Sequence, residues 1–347
     1  MPSPYVTSPI VYLPNYRVST DEICDDIQAN HPAHTRLGAA LRVVRNTGVQ
    51  NRWFTRPLAS PLISGTAPLD ERTTAAFSDA LSMAEQAAQQ VLNANGLAPA
   101  DIDAVITSHT TSWGVPNLDV QLLERIGLRP DVRRLSMTTM ACAGGVQSLI
   151  RASDFVAARP RSKVLVVAAE VISSVYNHTD DSIESMIYKG LFGDSAGACV
   201  VSDTPLGAGM RIDDTWEYLL PGSTAHYSGR LDAAGLHFDS TRAALTGADD
   251  VLPHLLNWMG TWRPDFPIIH PGGPGIIAGV TKGIGLDDKA AHHSWASLAE
   301  NGNLGGVAVF DVLARTHTDP PKDGDEGLLL TFGPGFTSAA IRGTWCA

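Results

Sequence analysis

Apolar positions along the chain follow two spacings, one typical of buried strands and one typical of helices. Residues 163–169 and 197–202 are almost continuously apolar, which predicts strands buried on both faces. Between 72 and 95, apolar residues recur every three or four positions and Asn95-Gly96 supplies a stop, which predicts a long helix. Strands that alternate with helices in this way indicate an α/β layered architecture.

The same alternation extends over the rest of the chain. Further strands are predicted at 101–108, 135–139, 266–270, 327–332 and 338–345. Further helices are predicted at 21–30, 118–126, 146–157, 249–259 and 275–283, and the segment 303–315 begins as a loop and continues as a helix. Because the second half repeats the order of the first, the two halves are candidates for structural counterparts.

Composition and charge narrow the class of protein. The chain has 347 residues, 44% of them hydrophobic, and a formal net charge of −11, which argues against binding to nucleic acid or an anionic membrane. No apolar run approaches the roughly 18 residues of a membrane span, and no signal-peptide pattern opens the chain. Four widely spaced cysteines without a CxxC pair favour a reducing, cytoplasmic setting.

One stretch carries candidate chemistry at the junction of a strand and a helix. Ala-Cys-Ala-Gly-Gly, with Cys142 at its centre, joins the predicted strand at 135–139 to the predicted helix that follows. A thiol at a helix N-terminus is favoured as a thiolate by the macrodipole and the free N–H groups. The alternative is a buried, inert cysteine.

Two other motifs decide between these interpretations. His270 ends a predicted buried strand in IIHPGGPGII, and Asn303 lies in NGNLGG before a predicted helix. Each motif alone is weak evidence, since a lone histidine is more often structural and NxG is often only a turn. A thiol, a histidine and an asparagine placed in this way form a candidate nucleophile set.

Five motifs in order make the chain resemble the type III polyketide synthases of the chalcone synthase superfamily. They are MACAGG around Cys142, GLFGDSAGA at 190–198, HPGGPGI at 270–276, GNLGG at 302–306 and FGPG at 332–335. The resemblance implies a thiolase-like α/β fold with two similar halves in αβαβα layers, here 1–205 with the cysteine and 206–347 with the histidine and asparagine. It also implies a homodimer.

The resemblance further implies a reaction and its residues. Cys142, His270 and Asn303 would be the catalytic triad, and Phe192 and Phe238 would flank the entrance from the coenzyme A tunnel. Cys142, its pKa lowered by an imidazolium, would take an acyl group from a CoA starter. A malonyl-CoA-type extender would then condense by decarboxylation, its enolate stabilised by His270 and Asn303. The expected product is a pyrone, resorcinol or related aromatic compound, made without metal or cofactor.

Several residues depart from the pattern common in the family. Ile172 and Val175 stand where plant enzymes tend to have threonines, and Trp113 where smaller residues are common. Val115 is expected to reach into the partner's cavity. Gly305 replaces a common serine. A more apolar lining, closed in one lobe by Trp113 and opened in another by Gly305, predicts an apolar starter and few extensions.

Basic residues and histidines suggest further binding. Arg42, Arg45, Arg52 and Arg56 are candidates for the CoA phosphates, because family members use basic residues in this region; a solvated helix face is the alternative. The pairs His292-His293 and His31/His34 raise the question of a metal. No acidic or cysteine ligand lies at a matching spacing, so exposed loop histidines and no metal are expected.

Two other functions stay open at this point. A ketoacyl-acyl carrier protein synthase of the priming kind shares the three polar residues but resembles the chain less at HPGGPG. A non-catalytic acyl-binding subunit on the same fold is the other alternative. The presence of all three polar residues argues against it.

Overall fold

The computed structural model describes residues 3–347, which contain eleven α-helices and fourteen strands. The strands are β1 Tyr5–Thr7, β2 Ile10–Tyr12, β3 Tyr16–Ser19, β4 Asn51–Phe54, β5 Ala104–His109, β6 Arg133–Thr138, β7 Lys163–Glu170, β8 Ser195–Ser202, β9 Gly209–Leu219, β10 Tyr227–Asp232, β11 Gly235–Ser240, β12 Phe266–Ile269, β13 Glu326–Gly333 and β14 Thr337–Cys346. The helices are α1 Thr20–Asn30, α2 Leu37–Arg45, α3 Pro61–Ser64, α4 Leu69–Ala94, α5 Leu118–Ile126, α6 Gly144–Ala158, α7 Ile183–Leu191, α8 Gly247–Met259, α9 Pro274–Gly283, α10 His292–Asn301 and α11 Ala308–Thr318.

Ten strands form one mixed sheet system in the order β12-β13-β14-β9-β1-β8-β7-β5-β6, with β2 also paired to β8. The pairs β5–β6, β5–β7 and β12–β13 are parallel, and the pairs β7–β8 and β13–β14 are antiparallel. β1 joins the two parts of the system because it pairs with β8 on one side and β9 on the other. Two separate two-stranded antiparallel sheets, β3–β4 and β10–β11, lie outside it.

Three apolar clusters fill the interfaces between five layers, and the central cluster occupies both faces of the middle layer. α6 and α11 contribute Val146, Leu149 and Phe310 to a central cluster between the two parts of the sheet. The alanine-rich α4 covers the outer face of β7 and β8, and α8–α10 cover the outer face of β12–β14. This αβαβα arrangement confirms the fold class that the sequence predicts.

The two central helices begin in the same way. A 3₁₀ turn at Ala141–Ala143 precedes α6, and a 3₁₀ turn at Gly305–Val307 precedes α11. The two turns pack closely against each other. A Cβ added to Gly145, at the start of α6, would lie only 2.2 Å from the carbonyl oxygen of Gly306. Only glycine permits this approach, and it brings the beginnings of both central helices to one place.

Most of the predicted elements are confirmed, and α5 shows why. Asn117 caps it by accepting a hydrogen bond from the Leu118 N–H at 2.8 Å, and Gly127 ends it in the left-handed region at φ 72°. The apolar pattern did not predict β1–β4, β9, the β10–β11 hairpin, α2, α3, α7 or α10. Within residues 3–347, no helix is both long and apolar enough to cross a lipid bilayer.

Candidate active site

Cys142 lies at a backbone corner that both parts of the sheet hold in place. Thr139 and Ala141 have φ of 62° and 46°, a left-handed conformation that is strained for residues other than glycine. The Ala141 N–H donates to Thr110 Oγ1 at 2.8 Å, and Thr331 Oγ1 donates to the Cys142 carbonyl at 2.6 Å. The strained corner is therefore held by hydrogen bonds to the residue that follows β5 and to a residue of β13.

Asn303 faces the thiol. Its Oδ1 and Nδ2 atoms both lie 3.9 Å from Cys142 Sγ. The Gly305 N–H donates to Asn303 Oδ1 at 2.9 Å, which identifies the oxygen and leaves the Nδ2 hydrogens free for the cavity. The backbone of Asn303 is held by Leu191 and Gly193, through hydrogen bonds of 2.8 and 3.1 Å.

His270 follows β12 and enters the same cavity. Its side chain is 2% exposed, and its Nδ1 has no hydrogen-bond partner among the described residues. A Cβ on Gly272 would lie 3.1 Å from both Nε2 and Cδ2 of the imidazole, so the glycine leaves room for the ring. The structure therefore brings together Cys142, His270 and Asn303 from three separate segments.

Burial keeps the thiol and the imidazole neutral. Desolvation, with a further contribution from the Glu170 carboxylate, raises the pKa of Cys142 to about 12. Desolvation lowers the pKa of His270 to about 3. The direction is opposite to the depressed thiol pKa expected from the sequence, because desolvation and the Glu170 carboxylate both oppose ionisation of the thiol.

The cavity has a volume of about 370 Å³ and a mostly apolar wall. Phe192, Phe238, Ile172 and Gly305 line it. The Phe192 and Phe238 rings meet edge to face, with centroids 6.0 Å apart. Gly305 has φ of 59°, and a Cβ there would stand 3.2 Å from Glu170 Cγ and from Ile172 Cδ1. The missing side chain at 305 therefore enlarges the cavity beside Glu170.

The other predicted lining residues lie elsewhere. Val175 lines a small neighbouring pocket of about 20 Å³, which shares Ile172 and both phenylalanines with the main cavity. Trp113 and Val115 are 72% and 82% exposed. Trp113 therefore does not close a lobe of its own chain's cavity. The reason is local: Gly114 packs against the Phe77 ring, and the residues on either side point outward.

The four arginines separate into three groups. Arg42 and Arg45 are exposed in the last turn of α2. Arg56 is paired with Asp79 at 2.8 Å. Arg52 is 0% exposed, and its guanidinium donates to Thr20 Oγ1 and the Gly190 carbonyl at 2.8 and 2.7 Å. The assignment of Arg52 as a phosphate ligand is wrong, because its guanidinium is fully buried inside the protein.

Glu170 is a cavity residue that the sequence analysis did not identify. Its Oε2 accepts hydrogen bonds from the N–H groups of Thr110 and Thr111 and from Thr111 Oγ1, whereas its buried Oε1 has no partner among residues 3–347. Desolvation raises its pKa to about 7. The signal available in the sequence was a single acidic residue at the end of the apolar run KVLVVAAE.

A five-layer fold with a cysteine corner before a central helix is that of condensing enzymes with the thiolase-like fold. The chain matches the model of the N-terminal domain of chalcone and stilbene synthases over residues 56–205 and that of their C-terminal domain over 212–342. It therefore belongs to this family and is a type III polyketide synthase, an acyltransferase-type condensing enzyme. These matches favour this function over the priming synthase and the non-catalytic subunit.

Individual relatives agree with the family. The chain is 30% identical to the phloroglucinol synthase of Pseudomonas fluorescens over 345 residues, 98% of each protein. It is 30% identical to the 1,3,6,8-tetrahydroxynaphthalene synthase of Streptomyces coelicolor, covering 97% of this chain and 91% of that protein. Its structure resembles that of germicidin synthase from Streptomyces coelicolor, with a TM-score of 0.93, 30% identity and coverage of 99% and 100% of the two chains.

Proposed function

We propose that the chain loads an acyl group from a CoA thioester onto Cys142 and extends it with malonyl-CoA-type units by decarboxylative condensation. The observation that carries this proposal is the position of Cys142 Sγ, 3.9 Å from the Asn303 amide, in a cavity of about 370 Å³ that His270 also lines. Coenzyme A thioesters are the substrates, and no metal or prosthetic group takes part.

Loading begins from the neutral pair. His270 Nε2 accepts the Cys142 proton as sulfur attacks the thioester carbonyl, the acyl–sulfur bond to CoA breaks, and CoA leaves as a thiolate that solvent protonates. The apolar wall disfavours isolated charges, but the anion formed beside the imidazolium offsets this cost. Once CoA has left, the imidazolium loses its Nδ1 proton, which balances the proton taken up by CoA, and the neutral ring keeps Nε2–H for the next step.

Condensation uses the same two side chains as hydrogen-bond donors. Loss of CO₂ from the malonyl group leaves a thioester enolate, whose oxygen receives hydrogen bonds from His270 Nε2–H and Asn303 Nδ2–H. The hydrogen bond from Gly305 N–H to Asn303 Oδ1 supports this role because it occupies the amide oxygen and leaves the Nδ2 hydrogens free to donate. The enolate carbon attacks the acyl carbonyl, and the thiolate of Cys142 is released and protonated by solvent, which restores the neutral pair for the next loading.

The two gate rings favour decarboxylation. Phe192 and Phe238 present apolar surface to the malonyl carboxylate, which is poorly solvated there and loses charge when CO₂ leaves. The apolar lining from Ile172 and the space left by Gly305 support an aliphatic or aryl starter. The final product is a pyrone, resorcinol or related aromatic compound, in line with relatives named for phloroglucinol and tetrahydroxynaphthalene.

A homodimer completes the proposal. Trp113, Val115 and Leu135 are exposed apolar residues. Leu135 lies in β6, an edge strand of the sheet, and the loop with Trp113 and Val115 is held to β6 by the hydrogen bond from Asn117 Nδ2 to Ser136 Oγ. Val115 is 82% exposed and reaches into the cavity of the second copy. Sedimentation velocity should give a dimer for the unmodified chain and a monomer for Val115→Asp. A dimer of unchanged stability in Val115→Asp would count against this interface.

The remaining assignments extend the proposal. The halves are 1–205 and 206–347, a division supported by the gap between the two family matches, at 206–211. Of the basic residues, the exposed Arg42 and Arg45 are retained for the CoA phosphates. Cytoplasmic location is supported by four cysteines without a disulfide.

Product analysis tests the proposal. Incubation with a panel of acyl-CoA starters and free malonyl-CoA should give condensed products detectable by mass spectrometry, and Cys142→Ala should give none. Asn303→Ala should still be acylated but should decarboxylate malonyl-CoA about 10²–10³-fold more slowly. An absolute need for an acyl carrier protein thioester would instead favour a priming synthase. A screen in which only small polar starters are accepted would rule out the apolar starter.

A further inference from the structure

Two adjacent histidines lie at the surface beside an aspartate at the end of a later helix. His292 and His293 occupy the first turn of α10, and Asp319 caps the C-terminal end of α11. His292 Nε2 lies 3.6 Å from Asp319 Oδ2, and the two imidazole rings are 3.9 Å apart. One ligand atom from each of the three residues lies within 4.8 Å of the other two. The expectation of loop histidines without an acidic neighbour is therefore wrong.

The tautomer of His292 suits a metal ligand. Its Nδ1 lies 3.1 Å from the Lys289 carbonyl oxygen, so Nδ1–H donates and Nε2 keeps its lone pair on the side of Asp319. Histidines that bind metals usually donate their second ring N–H to a carbonyl or carboxylate, which fixes the ring and raises its basicity. This hydrogen bond is an observation independent of the clustering.

His293 is the more buried member of the group. Its Nε2 has no hydrogen-bond partner among residues 3–347, and its ring also faces the Asp319 backbone. The unpartnered Nε2 is the atom of this ring that can bind a ligand. The negative end of the α11 dipole and the Asp319 carboxylate add a field that favours a cation.

We propose that His292, His293 and Asp319 bind one divalent transition-metal ion of the Zn²⁺ type. Two imidazole nitrogens and a carboxylate oxygen are the ligand set of Zn²⁺ and its borderline neighbours, whereas Mg²⁺ and Ca²⁺ prefer oxygen alone. The side chains of His292 and Asp319 are 56% and 78% exposed, so an ion from solvent reaches them without a conformational change in the core. Water fills the remaining coordination positions.

The position of the proposed metal site indicates the effect of the bound ion. α10 and α11 are joined by residues 302–307, which carry Asn303. The proposed ligands lie at the opposite ends of these two helices, where the ion ties the first turn of one to the end of the other. Its effect is on the stability of the helix pair, and it takes no part in the proposed thioester chemistry.

Metal titration of the full chain tests the inference. Zn²⁺ also binds thiolates, so tag-free Cys142→Ala protein is used after treatment with a chelator. Isothermal titration with ZnCl₂ should give one saturable site, and thermal unfolding should give a saturable rise in Tm of about 2–4 °C. MgCl₂ at the same ionic strength should give neither. An equal rise with MgCl₂ would overturn the inference, because it would be a general salt effect.

Matched variants locate the ion. In the same background, His292→Gln and Asp319→Asn should each weaken Zn²⁺ binding by at least about tenfold. His254→Gln, which changes an exposed histidine of α8 outside the cluster, should bind Zn²⁺ as the parent does. Absence of saturable binding in the parent, or equal affinity in the parent and both cluster variants, would overturn the assignment. Because the readouts are binding and unfolding, they do not depend on whether the proposed activity is correct.

Discussion

The carboxylate of Glu170 raises the pKa of the Cys142 thiol, and both groups line one buried cavity. Desolvation is the larger cause, and the negative charge of Glu170 adds to it. Since Glu170 has its own pKa raised to about 7, its charge changes near neutral pH. The reactivity of the thiol is therefore coupled to the ionisation of a side chain outside the proposed triad.

Glu170→Gln should make Cys142 more reactive above pH 7. The substitution keeps the shape of the side chain and removes the charge that opposes the thiolate. If the pKa of the thiol falls by one unit, alkylation by iodoacetamide at pH 8 becomes about tenfold faster. The ratio of variant to parent rate should approach one below pH 6, where Glu170 is already protonated.

A ratio that does not change with pH would contradict this coupling. Asp194→Asn is a suitable control, because Asp194 is another fully buried carboxyl with a pKa raised to about 6, but it does not line the cavity. Its effect on the alkylation rate should be small at every pH at which the variant is folded.

The pH profile of the parent enzyme should show a neutral thiol. With the pKa of Cys142 raised to about 12, the thiolate fraction, and with it the alkylation rate, should rise about tenfold per pH unit above pH 8 and less steeply near pH 7, where Glu170 ionises. Cys346→Ser protein removes the partly exposed thiol at the C-terminus from the measurement. A rate that is constant from pH 6 to 8 would mean a preformed thiolate–imidazolium pair and would contradict the account.

Periodicity predicted much of the fold because long elements have capped ends and continuous patterns. α5 was placed correctly, and its two ends are set locally, by the capping Asn117 and by Gly127 in the left-handed region. The β10–β11 hairpin was missed, because Tyr227–Asp232 is mostly exposed and carries no alternation. Its importance lies in long-range packing, since it brings Phe238 to the cavity.

The site residues were predictable where a sequence motif identifies them. The prediction was wrong where it depended on the direction of a side chain. Cys142, His270 and Asn303 each stand in a motif, and the structure brings them together. A sequence does not say which way a side chain points, so Arg52 was placed at a phosphate although it is fully buried, and Trp113 in a cavity although it is exposed. Asp319 was not associated with His292 because the contact forms only when α10 and α11 pair.

Gly305→Ala should reduce both stability and product size. The residue has φ of 59°, and the new Cβ would stand 3.2 Å from Glu170 Cγ and Ile172 Cδ1. We expect about 1 kcal/mol of lost stability, measured by urea unfolding, and a shift toward shorter products, measured by mass spectrometry. Gly207→Ala, at a positive φ in open space, is the matched control and should change stability alone. An unchanged product distribution in a folded Gly305→Ala enzyme would contradict the proposed role of this space.

Lys189→Met should stabilise the protein at pH 7. Lys189 is 4% exposed, its Nζ has no hydrogen-bond partner among the described residues, and desolvation lowers its pKa to about 8. The unfolded chain, with a pKa of about 10.4, therefore binds the proton more strongly, and the charged lysine destabilises the native state below that pH.

The expected gain is about 1 kcal/mol at pH 7, and it should shrink as pH rises from 8 to 10, where the native lysine becomes neutral. Urea unfolding at the two pH values measures it. Lys282→Met, which changes an exposed lysine of α9, should have little effect at either pH. A loss of stability in Lys189→Met at pH 7 would mean that the ammonium has a stabilising partner.

Intact-protein mass spectrometry after brief incubation with an apolar acyl-CoA, without extender, tests the central claim most directly. The account predicts a mass increase of one acyl group in the parent chain, located on Cys142 by peptide mapping and retained in Asn303→Ala. Cys142→Ala should show no adduct. An adduct that persists in Cys142→Ala, or none in the parent with any of a broad panel of acyl-CoAs, would contradict it.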